Sequence, residues 1–464
     1  MTRRPLFVAL LAMLAVVTAA CGPNQPADDD DDGQGAPAGS PGGTQAAAEV
    51  SGELFAFGFS YENGDTIAKS RVDVFTEANP DVDVQFSESG FEAQPFLAAL
   101  QSGDPPDVVN IPRNILGSYI NRGVLQPLDD CLAQQGMDTG IFREAALSQT
   151  QVDGTTYALP EFFNTRLWII NNAAFEEAGL DAATFDFSDW DAIAEANQQL
   201  LQVEGSTINR IGIDPKIPEF FEMWVRANGA QIISEDGRES LLEDPAVAEA
   251  LEYTVGLVEA HGSAAAFTDF RNTWDFFGAN NQVAADQIGA WPMEQWYLNV
   301  LAENSPEAEI TGVPFVTQEG DITTISDGNS WAIVEGTDNP DAACAFVTTM
   351  VATDTWIASA EARQAEREEE GLPFTGTYTA NSEADDIIFG EMVDLSDTPA
   401  FQDAVDAVLE SQDSAFAFPP SPAGEEFTQA LQDAVNAALT GEDPAAALQA
   451  ADEEAQAAID AAAE

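Results

Sequence analysis

One histidine, His261, occurs in the 464 residues. Catalysis built on an imidazole triad, and metal sites built from several histidines, are therefore nearly excluded. His261 precedes Gly262 at the end of an amphipathic stretch, where a protonated ring would complement a helix C-terminus. Carboxylates are the opposite case, with 81 Asp and Glu against 15 Lys and Arg. A carboxylate pair is the machinery of glycoside hydrolysis, but nothing in the spacing singles out a pair. There are three cysteines, Cys21, Cys131 and Cys344. Sequence separation alone does not decide whether Cys131 and Cys344 form a disulfide or remain two buried thiols. No cofactor is expected.

The charge balance also limits partners. A formal net charge of −66 repels phosphate backbones, so nucleic acid is not an expected partner. Such a surface repels itself at low salt and is relieved when salt shortens the Debye length. Adaptation to a saline habitat and the lysine depletion of a GC-rich genome explain the composition equally well.

Arg3 and Arg4 precede an apolar run from Leu6 to Ala20. The run is short for a bilayer span and suits an export signal over residues 1–20. Thr18-Ala19-Ala20-Cys21-Gly22 resembles the bacterial lipobox, although relatives have an aliphatic residue where Thr18 stands. That resemblance implies a lipid-modified Cys21 and a membrane anchor. Residues 21–49 are rich in Gly, Pro, Ala and Asp, including the run Asp28 to Asp32, and read as a tether that builds no core. The body from about residue 50 is expected to be extracytoplasmic.

That body exceeds what one core usually serves, so two lobes are expected. Glu53 to Phe59 reads as a strand, Asp65 to Ala78 as a helix stopped by Asn79-Pro80, and Val82, Val84 and Phe86 alternate as a second strand. Phe91 to Gln101 suits a helix, and Asp107 to Ile111 a short buried strand. Strands alternating with helices imply a parallel sheet with helices on both faces. Ligands of such sheets sit beyond the carboxyl ends of the strands, here at residues 60–63 and 110–114.

The segments Glu77 to Val84, Ser102 to Val109, Gly123 to Asp129 and Asp153 to Pro160 occur in the order, and with the wording, of a known family. So do Leu167 to Asn171, Phe175 to Leu180, Asp189 to Glu195, Phe276 to Trp291, Gly312 to Val316, Asp327 to Ile333 and Asn339 to Phe346. The chain resembles the extracellular solute-binding proteins of sugar importers, the group that includes the maltose-binding protein. The resemblance implies a two-lobed α/β periplasmic-binding-protein fold of type II, each lobe a mainly parallel sheet flanked by helices, with a multi-crossing hinge. Residues 50–161 and 322–372 would form lobe I, and 162–321 and 373–464 lobe II. It further implies a monomeric, non-enzymatic binder that captures a small solute, a sugar first of all, and hands it to ABC permease subunits.

A sugar needs flat aromatic faces for its C–H surface and directional partners for its hydroxyls. By resemblance, Trp291 after Gly289-Ala290 is the expected stacking platform. Asn164, with Arg166 beside it, lies at the first crossing between lobes; Asp327, Asn329 and Trp331 lie at the second, where Gly328 would relax the backbone. Phe59, Tyr61 and Glu62 come from the first loop, and Arg113 and Asn114 from the third. Glu161 reads as a surface or interlobe ion pair. Residues 416–422 carry no Trp, so an aromatic wall there would need Phe416 or Phe418. The rival readings are a binder of a polyol phosphate, peptide or polyamine, and a secreted hydrolase.

Overall fold

A computed structural model of the chain describes residues 50–61, 65–87, 89–103 and 105–463. The expected signal, Cys21, the tether and Glu62 lie outside the described residues.

Asp65 starts the first helix, Thr66–Ala78, by accepting from the Ile67 N–H at 2.9 Å, which satisfies one of the orphan donors of the first turn. Ile67, Val72 and Phe75 are its buried stripe. Helix Ala93–Ser102 ends at Gly103, whose φ of 84° suits only a left-handed cap. These helices flank a five-stranded sheet whose order is Val82–Phe86, Gly52–Phe57, Val108–Pro112, Asn329–Ile333 and Ala158–Pro160. A second five-stranded sheet runs Ile310–Pro314, Arg166–Asn171, Ile288–Glu294, Thr207–Ile213 and Gln202–Glu204. Every residue of Arg166–Asn171 is buried, as expected for a central strand covered on both faces.

The sheets are mixed in direction rather than mainly parallel. Gly52–Phe57 runs parallel to both neighbours, but Asn329–Ile333 is antiparallel to Val108–Pro112 and to Ala158–Pro160. In the second sheet only Ile288–Glu294 and Thr207–Ile213 pair in parallel. The reason is the hinge. A strand arriving from the other lobe enters at the cleft edge, where the parallel strands of its new sheet end, so it must run against them.

The crossing segments lie side by side, with Asn164 paired to Asp327 and Phe162 to Thr379. Gly328, at φ 136°, has no room for a side chain: a Cβ would sit 2.6 Å from the Phe162 carbonyl oxygen and 2.9 Å from Arg113 Nη1. Cys131 and Cys344 are joined by a disulfide between helices Asp129–Gln135 and Pro340–Val351 in the first lobe. Helices Gly424–Leu439 and Pro444–Ala462 pack on each other, and the first also packs on Arg113–Asn121 across the cleft. Among the described residues no helix is long and apolar enough to cross a membrane.

His261 departs from its expected role. It is buried after helix Pro245–Glu259, its Nδ1 lies 2.9 Å from the Leu257 carbonyl, and its Nε2 accepts from the Gly212 N–H at 3.1 Å. An accepting Nε2 requires a neutral ring, and burial accordingly pushes its pKa down. It ties a helix end to a strand instead of offering a charge.

Candidate functional site

Helix Arg113–Asn121 and the hairpin loop at Val152 and Asp153 form one wall of a cavity of about 820 Å³. Helix Phe221–Ala227 and the segment 230–238 of the second lobe form the opposite wall, and residues 416–422 close the side between them. A second chamber of about 290 Å³ continues toward the hinge, reaching Asn114, Gln149, Ser326 and Asp327. Glu222, Ile232, Ile233, Phe418 and Pro419 line both, so the two chambers adjoin between the lobes. Lining of this mixed kind, apolar surface with a few convergent polar groups, is typical of small-molecule sites.

The lobes meet along this cleft through close backbone approaches. A Cβ on Gly117 would lie 2.3 Å from the Ser421 carbonyl oxygen, and one on Gly424 would lie 2.7 Å from that of Asn114. Around the contact, the Glu425 N–H donates to Ser118 Oγ at 3.1 Å, and Arg122 pairs with Glu426 at 2.9 Å.

The hinge end is strongly charged. Arg166 donates to Asp327 Oδ2 at 2.9 Å, lies 3.3 Å from Glu294 Oε1, and has its guanidinium 4.7 Å from the centre of the Phe220 ring. Burial works to raise the Asp327 pKa, but Arg166, Arg113 and the Gly328 N–H outweigh it and hold the carboxyl below its ordinary range. Arg113 is buried; it donates to Gln149 Oε1 at 3.0 Å and to the carbonyls of Phe162 and Asn329 at 2.8 and 2.9 Å. Burial brings its pKa down to about 10 against the pull of Asp327 and Glu161. Glu219 is also pushed up by burial, yet Lys216 and Arg271 hold it low. Glu222 is the exception: burial raises it to about 7, with Arg166 opposing and Asp327 and Glu294 reinforcing the rise.

The residues singled out in the sequence separate into groups. Asn114 and Asp327 line the inner chamber. Asn164 lines a separate cavity of about 170 Å³ on the other face of the hinge, where its Oδ1 accepts from Gln295 at 3.2 Å. Arg113, Arg166 and Asn329 hold the crossings together beneath the cleft floor; Asn329 Nδ2 donates to Asn110 Oδ1 at 2.7 Å. Phe59 and Trp331 pack in the first-lobe core with ring centres 5.0 Å apart, and Tyr61 stacks on Phe86 at 4.5 Å. Trp291 has no exposed surface; Trp274 and Tyr297 meet it edge-on at 5.6 and 5.3 Å in the second-lobe core.

Glu161 forms an ion pair, as expected, but not at the surface or between the lobes. It is buried, not a surface pair: Oε1 lies 2.6 Å from Arg71 Nη1, and Asn110 donates to Oε2 at 2.8 Å. Phe416 and Phe418, the fallback aromatics, both line the outer chamber, ring centres 5.5 Å apart. Glu219, Glu222, Arg226 and Gln149 were not anticipated. Their only signal was position after the strand Thr207–Ile213 and beside the first hairpin, which reads as ordinary surface polarity.

The sequence pattern of the bacterial extracellular solute-binding proteins matches residues 58–364. The chain belongs to that family. As an extracellular solute-binding protein its body lies outside the cytoplasm, and its family members are binders rather than enzymes. It is 24% identical over 257 residues to an arabinooligosaccharide-binding protein of Halalkalibacterium halodurans, a match over 52% of this chain and 55% of the relative. The chain spans about half the length of the curated relatives it matches. Among solved structures, CpMnBP1 with mannotriose bound superposes with a TM-score of 0.71 at 21% identity, covering 87% of this chain and 99% of that one. A Listeria monocytogenes ABC substrate-binding protein in complex with cycloalternan gives 0.69 at 21%, over 87% and 98%. At this identity the likeness concerns the fold, a type II periplasmic-binding-protein architecture of two α/β lobes.

Proposed function

We propose that the chain is the substrate-binding lipoprotein of an ABC importer, capturing a sugar or oligosaccharide in the interlobe cleft and delivering it to permease subunits. The observation that carries the reading is the pair of adjoining interlobe chambers, of about 820 and 290 Å³, the larger of which exceeds the need of one sugar ring and suits a short chain. Phe416 and Phe418 supply ring faces for C–H surfaces; Asn114, Gln149, Ser326 and Asp327 supply acceptors and donors for hydroxyls. Membership of the solute-binding family and the ligands named for its structural neighbours support the same reading.

Residues 50–161 with 322–372 would move as one lobe and 162–321 with 373–464 as the other, closing by the hinge motion that is the standard example for periplasmic binding proteins. The anchor is Cys21, the first residue of the mature lipoprotein, and the protein acts as a monomer. Mass spectrometry of protein from its native membrane should find a lipid-modified N-terminal cysteine; an unmodified mature N-terminus elsewhere would refute the anchor. Calorimetric titration of the purified body with mono- to tetrasaccharides tests the ligand class. Saturable binding without hydrolysis is expected. Turnover of any glycoside, or silence towards every sugar, would overturn the reading.

A further inference from the structure

Glu222 stands where the outer and inner chambers join and lines both. The other carboxylates of the inner chamber have their counter-charges: Asp327 is held by Arg166, and Glu219 by Arg271 at 2.9 Å. Glu222 takes part in none of the ion pairs of the described residues; its carboxyl has a backbone N–H for a hydrogen-bond partner and feels Arg166 only through space.

The neighbouring cations are already engaged. Arg166 is shared between Asp327 and Glu294, and Arg113 donates to Gln149 and to two carbonyls. Arg226, one turn further along the same helix, lies 5.5 Å from the centre of the Phe416 ring and pairs with no carboxylate. At this end of the cleft two guanidiniums, Arg113 and Arg166, therefore face three carboxylates, Asp327, Glu294 and Glu222. Only the exposed Arg226, set over the Phe416 ring, remains to offset the third, so Glu222 has no close counter-charge on a partly desolvated wall. Such a group is comfortable only when it binds a proton or meets a positive charge.

We infer that the ligand is a carbohydrate bearing a protonated amino group, and that Glu222 is the specificity-determining residue that receives it. The inference rests on the carbohydrate reading above. An ammonium donates charge-assisted hydrogen bonds to Glu222 and supplies its missing close counter-charge, whereas a neutral hydroxyl donates one hydrogen bond and leaves the charge in place. The field of the acidic chain favours the same ligand, concentrating cations at its surface and repelling anionic sugars. The pH dependence separates the two cases by sign. An amine should bind more tightly as pH rises through about 7 and Glu222 ionises, up to the pH at which the ammonium itself loses its proton. A neutral sugar should bind no better, and less well if it relies on the protonated acid.

The test is isothermal titration of the full chain with neutral di- to tetrasaccharides and their 2-amino and 6-amino-6-deoxy counterparts, between pH 5.5 and 8 at fixed ionic strength. The best amino sugar should bind at least about tenfold more tightly than its neutral parent at pH 8. That advantage should shrink at pH 5.5, and Glu222→Gln should remove it. Neutral parents binding as well as every amine at pH 8, or an advantage that survives Glu222→Gln, would overturn the inference and leave the carbohydrate reading standing. Binding of no sugar of either kind would instead sink the carbohydrate reading itself, and this one with it. The wild-type pH profile needs no variant, so a poorly folding Glu222→Gln would not shelter the proposal.

Discussion

Two buried charge clusters in this protein are built to opposite ends. In the first lobe, Arg71 and Glu161 meet at 2.6 Å, Asn110 donates to the second oxygen of Glu161, and Trp331 Nε1 donates to the first at 3.2 Å. The Arg71 guanidinium is enclosed by aromatic rings, with its carbon 4.2 Å from the centre of Trp356 and 5.5 Å from that of Phe59. Charge is balanced there, and neither Arg71 nor Glu161 lines the cleft chambers. At the cleft, one carboxylate has no close counter-charge and two chambers open beside it. A balanced buried network fixes one geometry and recruits no partner, while an unbalanced one facing a cavity is completed only by something that arrives. The difference separates a cluster that specifies the fold from one that selects a ligand.

Removing the counter-charge from the balanced cluster should have the largest effect. Glu161→Gln leaves Arg71 buried and unpaired, and an uncompensated buried charge costs about 3–5 kcal/mol. Urea unfolding should show that loss, with ligand affinity of the folded fraction little changed. An unaltered midpoint would mean that the first-lobe network is not what holds this lobe, and would erase the contrast with the cleft.

Reducing the Cys131–Cys344 disulfide comes next, because it closes a separation of 213 residues within the same lobe. A loss of about 2–4 kcal/mol is expected on reduction or in a double Ser variant. Cleft affinity should again change little, since both cysteines sit on helices away from the chambers.

Gly117→Ala reverses the pattern. Its Cβ would press on the Ser421 backbone only where the lobes meet, so the separated lobes have no reason to lose stability. Affinity should fall about tenfold, or about 1.4 kcal/mol, with apo melting nearly unchanged. If melting falls and affinity does not, the Gly117 contact belongs to the fold and not to closure.

Salt gives the smallest and most diffuse effect. Screening the surplus of 81 acids over 15 bases should stabilise the apo protein by about 1 kcal/mol between low and molar NaCl, which for a body of this size raises the melting temperature by roughly one degree. A flat response would favour genome composition as the origin of the acidity.

The first three strands with their intervening helices and the order of family segments were legible in the sequence, because they follow from periodicity and from short local wording. Phe416 and Phe418 were legible as the only rings available in their loop. Trp291, Trp331 and Phe59 were not separable into cleft and core on type alone, since aromatic side chains serve both and only packing neighbours tell them apart. His261 was misjudged as a cation because the donor to its Nε2, the Gly212 N–H, comes from a strand 49 residues earlier.

The sequence by itself determined composition, charge sign, the presence of a single histidine and the alternating elements at the start of the body, all of which depend on residue type and near neighbours. Only the tertiary structure decided which strands reverse, which carboxylates find guanidiniums and which one does not. Charge balance at a buried site is a sum over groups far apart in the chain: Arg113, Arg166, Glu222, Glu294 and Asp327 come from five separate segments. No local pattern carries that sum; it exists once the hinge has brought the segments together.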